Sequence, residues 1–177
     1  MSRRRSAALL TAALLAAPLV AGCAAGRNAD TINTAEVTDA ASADVGPLQV
    51  RNAYVAPPET GVYGKGGDAP LYVTVANRGS ADTLTAVTSP DASSVVVAAA
   101  DPTGGSSQPA SGTGLPLALP GGTALPLGPT STHLLLQGLG RRLVSGQSVK
   151  VTLVFAAAGS TTLTVPVGLA EDAASGS

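Results

Sequence analysis

Residues 149–155 read Val-Lys-Val-Thr-Leu-Val-Phe, and residues 71–76 read Leu-Tyr-Val-Thr-Val-Ala. In both stretches, large apolar residues recur at every second position. This two-residue period is typical of β-strands that bury one face and leave the other in water. We therefore expect a strand in each stretch, and the residues that share a buried face are Leu71, Val73 and Val75 in one and Val149, Val151, Leu153 and Phe155 in the other.

The same alternation recurs between turn signals along the chain. It predicts that Leu84, Ala86 and Thr88 share one face of a further strand, and that residues 163–167 form another strand. The chain also contains 13 prolines and 21 glycines, which are too frequent to allow long helices. Short strands separated by turn clusters predict an all-β fold of two packed sheets or a barrel.

Composition excludes several classes of function. The 177-residue chain has a formal net charge of −1, so it lacks the basic excess with which nucleic-acid binders neutralise phosphates. Aromatic residues make up only 2 %, so platforms for stacking bases are missing as well. With one histidine and one cysteine, the chain offers no triad, because the serine near the histidine, Ser131, has no orienting acid. We predict no enzyme activity, no catalytic residue and no small-molecule substrate.

The first residues have the pattern of an export signal. Arg3, Arg4 and Arg5 precede an apolar run over residues 7–21, which is shorter than a membrane span and contains a proline. The run ends in Val-Ala-Gly-Cys, which resembles the bacterial lipobox; its residues are Val20, Ala21, Gly22 and Cys23. The resemblance implies a lipoprotein signal peptide over residues 1–22 and lipidation of the Cys23 thiol. The alternative is an ordinary secretory signal followed by an isolated Cys23.

Charge decides how such a protein would be held at a membrane. Without Arg3–Arg5 the ten basic residues fall to seven, against eleven acidic ones. A negative body is not attracted by anionic headgroups, so acyl chains must hold it, and stable anchoring takes more than one chain. Diacylglycerol on the thiol plus an amide-linked acyl group such as palmitate meets that need. We expect a protein anchored through lipid to the extracytoplasmic face of the cell membrane.

The rest of the chain divides by composition. Residues 23–46 are rich in Ala, Thr, Asp and Ser, and we interpret them as the lipidated cysteine followed by a flexible linker. Residues 47–170 carry the strand patterns, and residues 171–177 form a disordered tail. Within the domain, Asp101–Gly114 has no hydrophobic residue larger than Ala110, so it predicts a loop without structure. Such a loop is either flexible or functional.

Residues 48–167 resemble the periplasmic copper chaperone family PCu(A)C. The family's first strand ends in an aromatic residue, as residues 50–54 do here, and its N-x-G turn followed by D-x-L matches residues 77–84. A histidine strand with a Gly-Leu pair matches residues 133–139, and the closing L-x-x-G, alternation and aromatic residue match residues 143–155. The resemblance implies an antiparallel β-sandwich, cupredoxin-like or immunoglobulin-like, with Greek-key connections.

The resemblance also implies a copper site, built in the family from histidines and methionines in a His-Met region, a further methionine and an H-x-M pair. Thioether ligands suit Cu(I). Here residues 94–100 read Ser-Val-Val-Val-Ala-Ala-Ala, and the H-x-M pair keeps His133 but has Leu135 in place of the methionine. The only methionine is Met1. His133 is thus the one candidate metal ligand, or else a structural residue of its strand, and we expect no cofactor, with copper implied by the resemblance alone.

Two other groups of residues allow two interpretations each. The pair Arg141-Arg142 fits either an anionic partner or a solvated turn. The three tyrosines, Tyr54, Tyr63 and Tyr72, either line a ligand groove or pack with their hydroxyl groups at the surface.

Two hypotheses for function remain. The first is a lipid-anchored copper chaperone-like protein whose family role is copper handling for oxidase assembly, with its metal site largely lost. The second is an interaction module without metal, which uses the same sandwich to bind another protein of the cell envelope.

Overall fold

The computed structural model describes residues 40–99, 108–109 and 114–169. Their secondary structure consists of short strands joined by turns. The strands are β1 (Ala41–Val45), β2 (Leu48–Val55), β3 (Val62–Tyr63), β4 (Ala69–Asn77), β5 (Asp82–Thr88), β6 (Ala92–Ala99), β7 (Gln108–Pro109), β8 (Leu117–Leu119), β9 (Ala124–Leu127), β10 (His133–Leu139), β11 (Leu143–Val144), β12 (Ser148–Phe155) and β13 (Gly159–Pro166).

Two larger sheets face each other. One has the order β1-β2-β4-β10-β6-β7, with β9 also paired to β4, and the other has the order β13-β12-β5-β8. The strands β11 and β3 form a small separate ribbon. All of these ladders are antiparallel. The predicted all-β antiparallel sandwich is confirmed.

The core lies between the two sheets, where alternate residues of each strand meet. On β4, β12 and β13 the buried residues follow the two-residue period that the sequence predicts, and hydrophobic side chains fill the inner face of each. Phe155 is the only phenylalanine, so branched aliphatic side chains supply most of the core volume. The larger side chains of the core that are fully buried include those of Leu48, Leu71, Leu84, Leu119, Leu134, Leu136, Leu139, Leu143 and Leu153.

On β5 the predicted alternation is wrong beyond Leu84. The partner of Phe155 is Leu84, whereas the partner of Val154 is Ala86, so Thr85 is an extra residue in the ladder. The Thr85 hydroxyl donates a hydrogen bond to the carbonyl oxygen of Val154, 3.0 Å away. This bulge reverses the faces beyond it, so Val87 is buried in place of Ala86.

The predicted linker is too long at its carboxyl end. Residues 41–45 form β1 and pair with β2, so ordered structure begins before Pro47. The ion pair between Asp44 and Arg51 lies across this ladder, and the Arg51 guanidinium also donates to the carbonyl oxygen of Ala43 at 3.0 Å. The strand was missed because its few apolar residues, Ala41, Ala43 and Val45, are small and only half-buried.

The stretch 101–114 contains a short strand, contrary to the prediction. Gln108 and Pro109 form the short strand β7, which pairs with Ala99 and Ala98 of β6, so this loop is not wholly without structure. Among the described residues there is no helix with the length and hydropathy of a transmembrane span. The proposed lipobox, Val20, Ala21, Gly22 and Cys23, lies outside the described residues, as does the tail 171–177.

Candidate functional site

His133 is the first residue of β10, and it points away from the sandwich core. Its neighbours Leu134 and Leu136 belong to the core between the sheets, so His133 and Leu135 occupy the opposite face of the strand. Both are nevertheless only 2 % exposed. His133 and Leu135, the residues that correspond to the family's H-x-M pair, therefore lie side by side and buried on the outer face of the larger sheet.

The strand beside this pair is β6, which contains residues 94–99 of the stretch that stands in place of the family's His-Met region. In the ladder, Ala98 lies opposite His133, and Val96 lies opposite Leu135. Residues directly opposite each other in an antiparallel pair share a face. The neighbours that β10 and β6 give the histidine on its own face are therefore the alkyl side chains of Leu135, Val96 and Ala98.

His133 makes polar and aromatic contacts on its other sides. Its Nδ1 lies 3.3 Å from the carbonyl oxygen of Ser131. A carbonyl oxygen can only accept, so this contact favours a proton on Nδ1. The Tyr72 ring meets the imidazole edge-to-face, with centroids 5.7 Å apart. The structure thus places His133 in a packed position on a strand.

Tyr54 continues this aromatic row across the sheet. It lies opposite Tyr72 in the β2–β4 ladder, and the two ring centroids are 5.3 Å apart. A β-bulge brings Tyr54 opposite Tyr72, because Asn52 and Ala53 together face a single residue of β4. Asn52 has a φ of 53°, a conformation that asparagine tolerates better than most residues. The bulge turns Tyr54 onto the outer face, beside Tyr72.

Burial favours the neutral form of two phenols in this region, those of Tyr63 and Tyr72. Burial raises the pKa of Tyr63 to about 12, and the neighbouring Tyr72 and Glu59 add to the rise. The Tyr63 hydroxyl donates to the carbonyl oxygen of Ala56 at 3.1 Å. Burial, followed by the proximity of Tyr54, also raises the pKa of Tyr72. These contacts favour packing of the tyrosines over the lining of a ligand groove. The hydroxyl of Tyr63, however, is hydrogen-bonded to the backbone and does not lie free at the surface.

The N-x-G and D-x-L motifs hold a corner of the sandwich. The Asn77 side chain is 2 % exposed, donates to the carbonyl oxygens of Ser80 and Leu119, and accepts from the Gly79 amide. Asp82 accepts hydrogen bonds from the amides of Ala157 and Ala158 in the β12–β13 turn, and from that of Thr83.

Burial alone would raise the pKa of the Asp82 carboxyl, but the backbone hydrogen bonds from the β12–β13 turn and from Thr83 lower it below its ordinary value. Asp82 is therefore ionised at neutral pH and ties two parts of the chain together. The residues of both motifs have structural roles.

The Gly-Leu pair at residues 138 and 139 also has a structural role. Gly138 has a φ of +62°, and a Cβ added there would lie 2.8 Å from the Ser93 hydroxyl oxygen. Its amide donates to Asp68, and the Leu139 amide donates to the carbonyl oxygen of Gly67. The pair therefore fixes the loop before β4 against the end of β10.

Arg141 is engaged in holding turns together. Its guanidinium lies 3.1 Å from the Asp91 carboxylate and donates to the carbonyl oxygen of Ser148 at 2.7 Å. Asp91 in turn accepts from the amide of Lys150. These contacts favour the turn interpretation of the Arg141-Arg142 pair. Among the described residues, no three His, Cys, Asp or Glu side chains lie close enough together to hold a metal ion.

Comparison with known proteins places this fold in a family. Residues 48–167 match the family model described as "Putative lipoprotein LpqE-like". The chain belongs to this LpqE-like family. No curated protein matches the chain. The match covers the same residues, 48–167, over which the sequence resembles PCu(A)C.

Solved structures show the same relationship. The apo PCuAC domain from PmoF1 is 25 % identical, with a TM-score of 0.57, over 72 % of this chain and 98 % of that one. The copper-bound PCuAC domain from PmoF2 is 23 % identical, with a TM-score of 0.56, over 72 % of this chain and 97 % of that one. The resemblance to the PCu(A)C family is confirmed. The LpqE-like chain therefore has a PCuAC-type β-sandwich.

The sequence alone identifies His133 as a candidate ligand but does not predict the residues around it. The aromatic contact with Tyr72 and the facing positions of Val96 and Ala98 depend on strand order, because β6 and β10 are far apart in the chain yet adjacent in the sheet. The only local signal was Asn52, a turn-forming residue inside an alternating run, which marks the bulge that orients Tyr54.

Proposed function

We propose that this LpqE-like chain is a lipid-anchored protein of the extracytoplasmic face of the cell membrane. In this proposal its PCuAC-type domain has largely lost the copper site and acts by binding another protein of the envelope. Cys23 is the lipidated residue, Val20, Ala21 and Gly22 form the rest of the lipobox, and residues 1–22 are removed. The lipoprotein description of the family and the order of basic residues, apolar run and cysteine support the anchoring. No catalytic step is part of the proposal.

One observation carries the loss of copper binding. The histidine of the former H-x-M pair, His133, is flanked on its own face by Leu135, Val96 and Ala98. Alkyl side chains offer no lone pair to a metal. Cu(I) prefers thioether or thiolate sulfur, and Cu(II) prefers imidazole with further nitrogen or oxygen ligands. These three neighbours therefore add no ligand to the one imidazole, and a single imidazole is too few for either ion.

The sequence limits what the remaining segments could add. Between Ala100 and Gly114 the chain contains no histidine, methionine or cysteine, and one carboxylate, Asp101. The single cysteine is the proposed lipid attachment site. A complete PCuAC-type ligand set therefore cannot come from one copy of this chain.

A metal titration tests this proposal. The chain from residue 24 onwards, which contains every described residue, is titrated with Cu(I) and with Cu(II) against a competing chelator of known affinity. We expect no competition in the sub-micromolar range. A matched pair of variants, His133→Ala and Gln137→Ala, separates binding at the candidate site from binding elsewhere on β10. Tight binding that His133→Ala abolishes and Gln137→Ala retains would contradict the proposal.

Copper handling is the second candidate function. The structural likeness to the copper-bound PCuAC domain from PmoF2 favours it, as does the retention of a histidine at the first position of the pair. In this case His133 would hold the ion together with ligands from a partner protein, and the role of the chain would be oxidase assembly or copper transfer. Copper bound only in the presence of a methionine-bearing partner domain, and lost in His133→Ala, would favour it.

Anchoring is tested in cells by replacing the proposed lipidated residue. We expect Cys23→Ser to block processing or to release the protein from the membrane. An alkyne-labelled fatty acid should mark the natural chain and leave Cys23→Ser unmarked. A natural chain that takes up no label would contradict anchoring, whatever the metal titration shows.

A further inference from the structure

The chain enters and leaves the described domain at the same end of the sandwich. Ala41, the first residue of β1, lies opposite Ala53 near the carboxyl end of β2. At the other terminus, Gly168 donates its amide to the carbonyl oxygen of Val55, the last residue of β2, at 2.9 Å. We call this end of the sandwich, formed by the carboxyl end of β2 and residues 167–169, the entry end.

Hydrogen bonds join three further segments to the entry end. The Val167 amide donates to the carbonyl oxygen of Gln147 at 2.7 Å, and the Gln147 side chain accepts from Arg141 at 3.3 Å. The Asp91 carboxylate accepts from Arg141 and from the Lys150 amide. The turn after β10, the turn before β6 and the start of β12 therefore all lie at the entry end.

Cations outnumber carboxylates at the entry end. The loop 64–67 belongs to this end as well, because it is hydrogen-bonded to Leu139. Arg141 pairs with Asp91, and the Asp68 carboxylate accepts from a backbone amide. The charged residues of the entry end are four cations, Lys65, Arg141, Arg142 and Lys150, and three carboxylates, Glu59, Asp68 and Asp91.

The entry end also presents an apolar side chain to solvent. Leu169 is 43 % exposed, and it is the one large hydrophobic residue that is exposed among the described residues. The described turns at the opposite end, residues 78–81, 120–123 and 156–158, contain a single charged residue, Arg78. Exposed cations beside an exposed leucine therefore distinguish the entry end from the opposite one.

We propose that the entry end docks onto the membrane surface that holds the lipid anchor, with Leu169 in the headgroup region and Arg142 and Lys150 on the phosphates of anionic lipids. An apolar side chain flanked by cations is typical of contacts with the interface of an anionic membrane. The proposal rests on the proposed lipid anchoring, and it adds which part of the domain faces the membrane.

A weak contact is sufficient for this docking. The net charge of the chain does not attract it to an anionic surface, so the acyl chains hold the protein and the entry end sets only its orientation. Because the anchor keeps the domain beside the membrane, docking is intramolecular and has a high effective concentration. The strand β2 ends at the entry end, so the outer face of the larger sheet, with Tyr72, remains accessible to a partner protein at the membrane.

The chain contains no tryptophan, so a single introduced tryptophan can report docking. The chain from residue 23 onwards is coupled through Cys23, its only cysteine, to a maleimide-bearing lipid in vesicles of phosphatidylcholine and phosphatidylglycerol with brominated acyl chains. We expect bromine to quench the fluorescence of Leu169→Trp but not that of Ala157→Trp, an exposed position at the opposite end. Because the coupling supplies the anchor, the result does not depend on whether cells lipidate Cys23.

Charge variants of the Leu169→Trp chain test the cations. Arg142→Gln and Lys150→Gln should each lower the ratio of docked to undocked chain about fivefold, which is the contribution of one cation near an anionic surface. Arg142→Lys keeps the charge and should keep the docking. Arg78→Gln is the matched control at the opposite end and should change nothing. Vesicles of phosphatidylcholine alone should quench the Leu169→Trp chain less.

Several results would overturn the proposal. They are equal quenching of the two tryptophans, equal docking on phosphatidylcholine alone, and equal losses for Arg142→Gln and Arg78→Gln. The residues after Leu169 include two carboxylates, Glu171 and Asp172, which are the alternative occupant of the entry end. Quenching of Leu169→Trp that appears only when the chain ends at residue 169 would overturn docking by the natural chain and identify its tail as that occupant.

Discussion

Leu135 lies directly across from Val96 where β10 pairs with β6, on the same outer face of the sheet as His133. Leu135 thus stands at the position where the PCu(A)C resemblance implies a methionine, and Val96 lies beside it on the same face. The two residues are 39 positions apart in the sequence, and the larger sheet makes them neighbours.

The first prediction concerns the missing thioether. Leu135→Met should raise the affinity for Cu(I) above that of the natural chain, because it adds a soft ligand two positions from His133 on the same face. The free energy of unfolding should change by less than about 1.5 kcal/mol, since leucine and methionine have similar volumes. Competition with a Cu(I) chelator measures the affinity.

The control for this prediction is the neighbouring residue on the inner face. Leu136→Met places the same thioether in the sandwich core, away from His133. It should not raise Cu(I) affinity, and adding His133→Ala to Leu135→Met should remove the gain. An equal gain in both methionine variants would contradict the assignment of faces.

The second prediction concerns Asp82. Asp82→Asn should lower the free energy of unfolding at pH 7 by about 1–3 kcal/mol, because a neutral amide replaces the carboxylate that accepts from three backbone amides. The folded-state pKa of Asp82 is lowered, so its contribution is present above the ordinary carboxyl pKa and is lost as pH falls through the folded value. Urea unfolding at a series of pH values measures both effects.

We therefore expect the difference between the natural chain and Asp82→Asn to shrink in acid. Asp44→Asn is the matched control, since Asp44 forms an exposed ion pair with Arg51. Its effect at pH 7 should be within about 1 kcal/mol, the usual range for surface pairs. A difference for Asp82→Asn that stays constant down to pH 2 would contradict the role of its charge.

The third prediction separates backbone conformation from steric contact at two glycines. Gly138 and Gly146 both have a positive φ, but an added Cβ would lie 2.8 Å from the Ser93 hydroxyl oxygen at Gly138 and would meet nothing within 4 Å at Gly146. Gly146→Ala should cost about 1–2 kcal/mol for the left-handed conformation. Gly138→Ala should cost more, and Ser93→Ala should recover part of the excess. If thermal unfolding shows the same loss of stability for Gly138→Ala and Gly146→Ala, the Ser93 side chain moves away from the added Cβ without cost.

The fourth prediction concerns the buried phenol of Tyr63. Tyr63→Phe should lower the free energy of unfolding by about 0.5–1.5 kcal/mol, because the hydrogen bond to the Ala56 carbonyl oxygen is lost. The folded-state pKa of about 12 lies above the ordinary value of 10.0, so unfolding releases a proton at alkaline pH, and stability falls as pH rises past the ordinary value. Chemical unfolding between pH 8 and pH 11 should show a shallower decline for Tyr63→Phe. The same decline in both proteins would assign the alkaline instability to other groups.

Much of the fold was predictable from local pattern. The alternation at residues 71–76 and 149–155 sets which side chains of β4 and β12 are buried, because a strand turns successive side chains to opposite faces. The presence of His133 and the absence of methionine beyond Met1 were likewise plain from the sequence. These features depend only on residue type and spacing along one strand.

Other features were decided by pairing between distant strands. The extra residue Thr85 in β5 depends on how β12 pairs beside it, and the strand β1 exists because β2 offers it an edge. The alkyl surroundings of His133 depend on β6 lying next to β10. The amino-acid sequence by itself determined the strongly alternating strands such as β4 and β12, the buried faces of these strands and the supply of metal ligands. The tertiary structure decided which strands lie side by side, because backbone hydrogen bonds between strands join residues that are far apart in the chain.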